Sequence, residues 1–285
     1  PEPGALGNNW SQMAPGIGYV FGFENDITKY SNHEYWLSQD SSMNTLNYNK
    51  YSTNLNARAT FEPFRDFRIE LSATRTYSYT RESYYKYNDE FEMFQEYTPI
   101  ERGSFSMSFL TFGTAFDKIG DDNSTPTYTK MKEYRLTMAN RLARENPYAD
   151  PNDIIDSTGY PSGYSASSQD VLHGAFVAAY SNRDPNKIPL NYFPSIPFPN
   201  WRVTYKGLSK IPALRNLFKN VTVTHSYRSA YSIGSYVSNI NHEDFQNLGA
   251  PSAVNENGDF INKYDMTLLS ISEQFSPLIK LDMTW

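Results

Sequence analysis

Gly163-Tyr164-Ser165-Ala166-Ser167 is the nearest approach in this chain to a nucleophile elbow. An elbow holds its serine on a strained turn between a buried strand and a helix, with glycines on both sides. Here the second glycine is missing and the surroundings are polar, so the segment reads as a turn. Four histidines, His33, His173, His225 and His242, are the candidate bases and metal ligands. No two of them share an element at ligand spacing. His225, between Thr224 and Ser226, reads as a rim residue of a strand. Asp121, Asp122 and Asn123, and further on Asp150, Asp153 and Asp156, lack the EF-hand spacing and its closing glutamate. They read as solvated turns, with a loop calcium site as the alternative. No phosphate-cradling glycine loop occurs. Cysteine is absent, which removes thiolate chemistry, disulfides and zinc–sulfur sites. No cofactor is expected, and the chain does not read as an enzyme.

Two segments could bind rather than react. Tyr84, Tyr85 and Tyr87 could stack sugars or bases, but at the end of a strand they read as a loop anchor. The run Asn191–Trp201, "NYFPSIPFPNW", could suit a proline-recognising groove. It leads directly into a strand, where proline fits the first positions, so it reads as a rigid return segment. Net charge is −6 with scattered basic residues, which argues against nucleic acid as a partner.

The elements that must position these residues announce themselves by alternation. Among 285 residues, aromatics make up 16%, and Tyr alone counts 23. Mean hydropathy is −0.62, and no run of about 18 apolar residues offers a transmembrane helix. Tyrosine suits side chains that are apolar at one end and wet at the other. Leu55, Ala57, Ala59 and Phe61 share one face, against Asn54, Arg58, Thr60 and Glu62. After a turn at Pro63–Asp66, Phe67, Ile69, Leu71 and Ala73 alternate with Arg68, Glu70, Ser72 and Thr74. A period of two on both arms predicts a β-hairpin, with the second arm running to about Tyr87. Val221, Val223 and Tyr227 alternate in the same way through Asn239. The punctuation "TFEPFRDFRIEL" (Thr60–Leu71) returns as "QFSPLIKLDMTW" (Gln274–Trp285). A second short turn is therefore expected at Ser276–Ile279, with Pro277 in it, and a third same-side connection at 206–218.

Crossing parity makes 88–195 a single excursion, and about six crossings result. Within the excursion Phe105, Phe109, Phe112 and Phe116 fall at i, i+4, i+7 and i+11, so Ser104–Phe116 is expected as a helix, with a lateral strand pair as the alternative. Tyr128–Glu145 is a clearer helix, with the stripe Met131, Tyr134, Met138 and Leu142 and a proline beyond its end. "SQDVLHGAFVAAY" (Ser168–Tyr180) is expected as a small-residue helix. The stretch after Pro1 holds no charged region followed by an apolar one, so no signal peptide is read there.

"LNARATFEPFRDFRI" (Leu55–Ile69), "IPFPNWRVTYKGLSKI" (Ile196–Ile211), "VTVTHSYRSAYSIGSY" (Val221–Tyr236) and "ISEQFSPLIKLDMTW" (Ile271–Trp285), together with "APGIGYVFGFENDI" (Ala14–Ile27), resemble the SprA/Sov family. These are the giant outer-membrane translocons of the type 9 secretion system, which also serves gliding motility. The resemblance implies a mainly β fold: one sector of a very large antiparallel transmembrane β-barrel in the outer membrane of a Gram-negative bacterium. It implies a wide lumen that passes folded cargo bearing a type 9 C-terminal signal, a PorV-like shuttle protein, a periplasmic plug protein and an outer cap. No catalytic residue comes with it.

On that plan 1–44 is an extracellular loop region, 45–87 a transmembrane hairpin and 88–195 an extracellular helical cap. Residues 196–285 supply further transmembrane strands, with periplasmic turns at 206–218 and 276–279. Leu55, Ala57, Ala59, Phe67, Ile69, Leu71 and Ala73 would face membrane lipid, and Arg58, Arg68, Glu70, Ser72 and Thr74 the lumen. Pro63, Asp66 and Pro277 would mark the periplasmic turns. A different large outer-membrane transporter barrel, or a soluble surface β-protein binding glycans, are the other readings.

Overall fold

The computed structural model describes residues 38–285 except 112 and 113. His33, Ala14–Ile27 and most of the 1–44 region lie outside the described residues. The chain is mainly β, with antiparallel sheets. Its described residues form two compact units, one of 38–52 and 78–103, the other of 53–77 and 104–285.

The strands are β1 (Leu46–Phe64), β2 (Phe67–Asn88), β3 (Met93–Ser108), β4 (Ile154–Ile155), β5 (Tyr160–Pro161), β6 (Asn200–Tyr205), β7 (Asn220–Ser238), β8 (Tyr264–Met266), β9 (Leu269–Phe275) and β10 (Lys280–Thr284). β4 and β5 make a small ribbon of their own. The other eight share one sheet but fill only five lanes. β1 is an edge lane and β2 lies beside it. The third lane is shared, since β3 and β6 both lie between β2 and β7. β6 pairs with the start of β2, from Phe67 opposite Tyr205 to Ser72 opposite Asn200, and with Val223–Tyr227 of β7.

The alternation of Phe105, Met107 and Phe109 with Ser104, Ser106 and Ser108 is therefore a strand signal. The helix expected over Ser104–Phe116 is not formed: β3 runs to Ser108, with Phe105, Met107 and Phe109 buried. Parity survives this correction because β3 is not an extra crossing. It is the first half of a lane that β6 completes after an insertion of about 90 residues.

The junction is held by side chains acting as backbone. The Ser108 hydroxyl donates to the Phe198 carbonyl (2.6 Å) and accepts from the Thr74 N–H (3.1 Å). The Phe198 N–H donates to the Ser108 carbonyl (3.1 Å). On the other side, the Phe109 N–H bonds the Ser229 carbonyl (3.0 Å). The Ser229 N–H donates to Asn200 Oδ1 (2.8 Å). Buried backbone groups cost free energy unless paired, and two short polar side chains pair them here.

The first expected turn is formed, between β1 and β2. Asp66 sits in the left-handed region (φ 68°), which Asp tolerates through local hydrogen bonding. The 206–218 connection, a 3₁₀ turn and a one-turn helix, lies against it. The Lys206 N–H donates to the Asp66 carbonyl (2.9 Å), and the Lys210 ammonium pairs with the Asp66 carboxylate.

The second copy of the mark does not reverse the chain. Partners along β7 run Tyr236–Met266, Ile233–Leu269, Tyr227–Phe275, Thr224–Lys280 and Asn220–Thr284, always antiparallel. β8, β9 and β10 thus form one lane. Four residues (276–279) stand against two (225 and 226), a bulge that leaves the face of each later side chain unchanged. Pro277 has no N–H to give the ladder, and its carbonyl accepts from Ser226 (2.9 Å). The position aligned with Asp66 is Lys280, which pays for left-handed backbone and stays extended. The expected turn at Ser276–Ile279 is corrected to a bulge, and six crossings become five lanes.

The insertion carries α1 (Pro126–Glu145) and α2 (Gln169–Tyr180). Thr125 caps α1, its hydroxyl accepting from the Tyr128 N–H (3.1 Å), and Pro126 takes the first turn. Met138, Ala139 and Ala143 of α1 meet Val171, Ala175 and Ala178 of α2 in a dry core that Ile188 and Phe260 complete. Gly174 allows this approach, since a Cβ there would lie 2.3 Å from the Met138 methyl. Of the expected stripe, Met138 is fully buried, and Met131, Tyr134 and Leu142 pack around it.

Replacing Ser108 by Ala leaves the Thr74 N–H without its acceptor at a buried site. The expected loss is about 1–3 kcal/mol of unfolding free energy, read from denaturant titration in detergent. An unchanged midpoint would mean that water closes the junction unaided.

Candidate functional site

The pairings sort the sheet into two faces. Phe67, Tyr205, Val223 and Leu281 stand in one row across four lanes, and Leu71, Trp201, Tyr227 and Phe275 in another. Between them lie Ile69, Val203 and His225. Trp201 stacks on Tyr227 (4.2 Å), and Phe275 meets Tyr227 edge-on (5.1 Å). Phe67 stacks on Phe64 (4.6 Å) and meets Tyr205 edge-on (6.0 Å). Aromatic rows four residues apart, about 13 Å along the strand, thus bound an apolar band.

The opposite face is polar in the same register. Arg68, Thr204, Thr224 and Lys280 form one row, and Glu70, Arg202 and Ser226 the next. Arg68 pairs with Glu70 at 2.9 Å. This exposed pair adds little to stability; its effect is to keep the face wet.

Tyr227 and Val221 of β7, the fourth of the five lanes, are buried. The flanks are not: Leu281 is 49% exposed and Met283 46%, and on β1 Leu55 is 45% and Phe61 51%. A water-soluble antiparallel sheet covers its apolar face with protein, whereas about half of each of these side chains stays open among the described residues. Ala57, Ala59 and Arg58 are exposed as well. Ala73 is half-buried, and beyond it the apolar face of β2 meets the insertion. Arg75 Nε donates to the Pro194 carbonyl (2.8 Å), and its guanidinium lies over the Phe105 ring (5.2 Å). Tyr192 and Phe193 of the proline-rich return segment pack on Phe105, Tyr231 and Tyr236.

The chemistry-bearing residues are scattered. The Ser165 hydroxyl and N–H both donate to Asp259 (2.8 and 2.6 Å), a loop brace in which no imidazole takes part. Gly163 (φ 86°) lets the Phe260 ring lie where a Cβ would be, 2.3 Å away. His242 Nδ1 bonds the Ile261 carbonyl (2.8 Å), and His225 Nδ1 the Leu278 carbonyl in the bulge. The Asp122 carboxylate accepts from the Ser124 hydroxyl and N–H, which hold its pKa below the usual range. Asp150 accepts from the Asn152 N–H (2.9 Å). Tyr85 and Tyr87 pack on Phe94 (5.6 and 5.3 Å). Among the described residues no group of three or more His, Asp or Glu side chains is placed to hold a metal ion.

One cleft has functional character. A cavity of about 400 Å³ opens between α1, α2, the segment at Leu190–Tyr192 and the 239–263 loop, with Asp170, His173, Tyr192 and Asn262 in its wall. Burial pushes the Asp170 carboxyl up to about 7 and the His173 imidazole down to about 4. The Tyr231 hydroxyl donates to the Tyr192 carbonyl (3.1 Å) and lies 3.0 Å from His173 Nε2. Its oxygen is thus left to accept the Nε2–H of a neutral ring. Sequence reasoning singled out His173 but missed Asp170, Tyr192 and Asn262 as a group, because they come from three separate segments.

A carboxyl raised by burial binds more protons in the folded state, so its stability contribution falls as pH rises from about 4 to about 7. Asp170→Asn is expected to match the parent protein near pH 4 and to gain on it progressively up to pH 7. His173, whose lowered pKa gives the opposite slope, is common to both proteins and cancels in the difference. Thermal unfolding of the pair across this range checks it, and a pH-independent difference would contradict it.

No protein-family model and no curated protein matches this chain.

Proposed function

We propose that this chain is one sector of a very large transmembrane β-barrel in the outer membrane of a Gram-negative bacterium. The barrel is a protein-conducting channel, the type 9 secretion translocon, which passes folded cargo proteins to the cell surface. The supporting observation is the two-faced register. Apolar rows bounded by aromatics run across four lanes, directly behind polar and charged rows, and apolar side chains at the flanks stay about half exposed among the described residues. That is the pattern of strands with lipid on one side and a wet lumen on the other. The two edge lanes need further strands in a bilayer, where unpaired edges are not tolerated.

Phe67, Ile69, Leu71 and Ala73 face lipid in this account. Arg68, Glu70, Ser72 and Thr74 keep the lumen hydrated and weakly adhesive to passing protein. The turn at Pro63–Asp66 and the 206–218 connection lie on the periplasmic side, and the inserted helices form part of an outer cap. The PorV-like shuttle, the plug protein and the cargo signal enter through the family resemblance alone. So does the preference for a translocon over another large transporter barrel. A soluble glycan-binding β-protein fits less well, because it would bury the apolar rows.

Leu71→Arg puts a charge on the lipid face, and Ser72→Arg puts one on the lumen face. The first is expected to cost about 2–4 kcal/mol if the site lies near the midplane, with loss of folded protein from the outer membrane and of secreted cargo. The second is expected to assemble normally. Normal assembly of Leu71→Arg together with failure of Ser72→Arg would invert the two faces and overturn the assignment.

A further inference from the structure

The cavity beside α2 has polar groups that the protein itself leaves unanswered. The Asp170 carboxyl has no hydrogen-bond or ion-pair partner among the described residues. The buried Tyr192 hydroxyl and Asn262 Oδ1 also lack partners, and all three residues line the same space. Native structures seldom leave such groups orphaned without a ligand, an ion or water to meet them. Two of the three, the carboxyl and the amide oxygen, accept hydrogen bonds, and the third can accept as well.

The other charged neighbours are otherwise engaged. The Asp244 carboxylate accepts from Tyr148 and from the N–H groups of Leu248 and Gly249. The Lys263 ammonium lies over the Tyr264 ring at 5.1 Å, and burial is the sole cause acting on Asp170, with no cation beside it. The rest of the wall holds His173 and His242, whose ring nitrogens bond the Tyr231 hydroxyl and the Ile261 carbonyl, with Gly249 and the apolar Leu142, Leu190 and Pro251. Its volume falls in the range of small-ligand sites.

We propose that this cavity binds an alkylammonium group. The ammonium donates to Asp170, Asn262 Oδ1 and the Tyr192 hydroxyl, and the alkyl stem lies along Leu142, Leu190 and Pro251. A free primary amine and a lysine side chain of a polypeptide offer the same chemistry. The site does not depend on the barrel reading, since every wall residue belongs to the insertion, its return segment or the 239–263 loop.

The test is calorimetric titration of the intact protein in detergent with n-butylamine, n-butanol, butyrate and an N-acetylated, C-amidated Gly-Lys-Gly peptide. Saturable binding of n-butylamine, at least tenfold tighter than n-butanol and with none of butyrate, is expected. Tighter binding of the peptide than of the amine assigns the natural source to a lysine side chain, and the reverse to a free amine. Asp170→Asn is expected to weaken n-butylamine binding at least tenfold. Asn262→Asp, which adds a second carboxylate, is expected to tighten it and serves where the first variant does not fold. Equal binding of n-butanol and n-butylamine would show an apolar hole only. No binding by any probe would show a water-filled one. Either result overturns the proposal.

Discussion

Everything in the larger unit depends on the place where one strand stops and another takes over its lane. β3 leaves the sheet at Ser108 and β6 enters at Asn200, and between them the chain makes an insertion with its own core. A sheet tolerates such a gap only if the neighbouring strands keep their hydrogen bonds. The Ser108 hydroxyl satisfies Thr74 on one flank, and Asn200 Oδ1 satisfies Ser229 on the other. Both are side-chain substitutes for backbone, so neither flanking strand loses its hydrogen bonds at the gap. The apolar and polar rows then stay aligned across the lanes, and the helical insertion is anchored to a rigid frame.

The insertion and the sheet are joined by aromatic packing rather than by charge. Tyr231 contributes twice: its ring lies beside Phe105 and Phe109, and its hydroxyl joins His173 of α2 to the Tyr192 carbonyl. This one residue ties the sheet to the helix and to the return segment. It also fixes the tautomer of His173, whose Nε2–H the Tyr231 oxygen accepts. On the barrel reading, the same strand that presents Val223 to the membrane level holds the insertion in place from Tyr227 onward, where the Thr111 N–H donates to the Tyr227 hydroxyl (3.0 Å).

Much of this was legible in the sequence, and the failures have physical causes. The hairpin of β1 and β2 is written in strict alternation around a proline and an aspartate that accepts left-handed backbone. α1 announces itself by its stripe from Met131 to Leu142, and Thr125-Pro126 is a start signal that sequence reasoning passed over, placing the helix two residues late. Ser104–Phe116 fitted two periods at once. Phe105, Phe109, Phe112 and Phe116 suit a helix, whereas Phe105, Met107 and Phe109 suit a strand, and only the waiting edges of β2 and β7 decided. Ser276–Ile279 repeated the punctuation of a turn without its one indispensable residue, an Asp at the left-handed position. The shared lane and the cavity were out of reach, since each brings together residues about 90 apart in the chain.

The central claim is that this sheet belongs to a very large barrel embedded in an outer membrane. An antibody against Tyr128–Glu145, used to blot fractionated cells of the source organism after a carbonate wash, tests it most directly. The account predicts a very large band that stays in the outer-membrane fraction. A soluble or secreted band near 32.7 kDa would contradict it, and the open apolar rows would then need a protein partner to cover them.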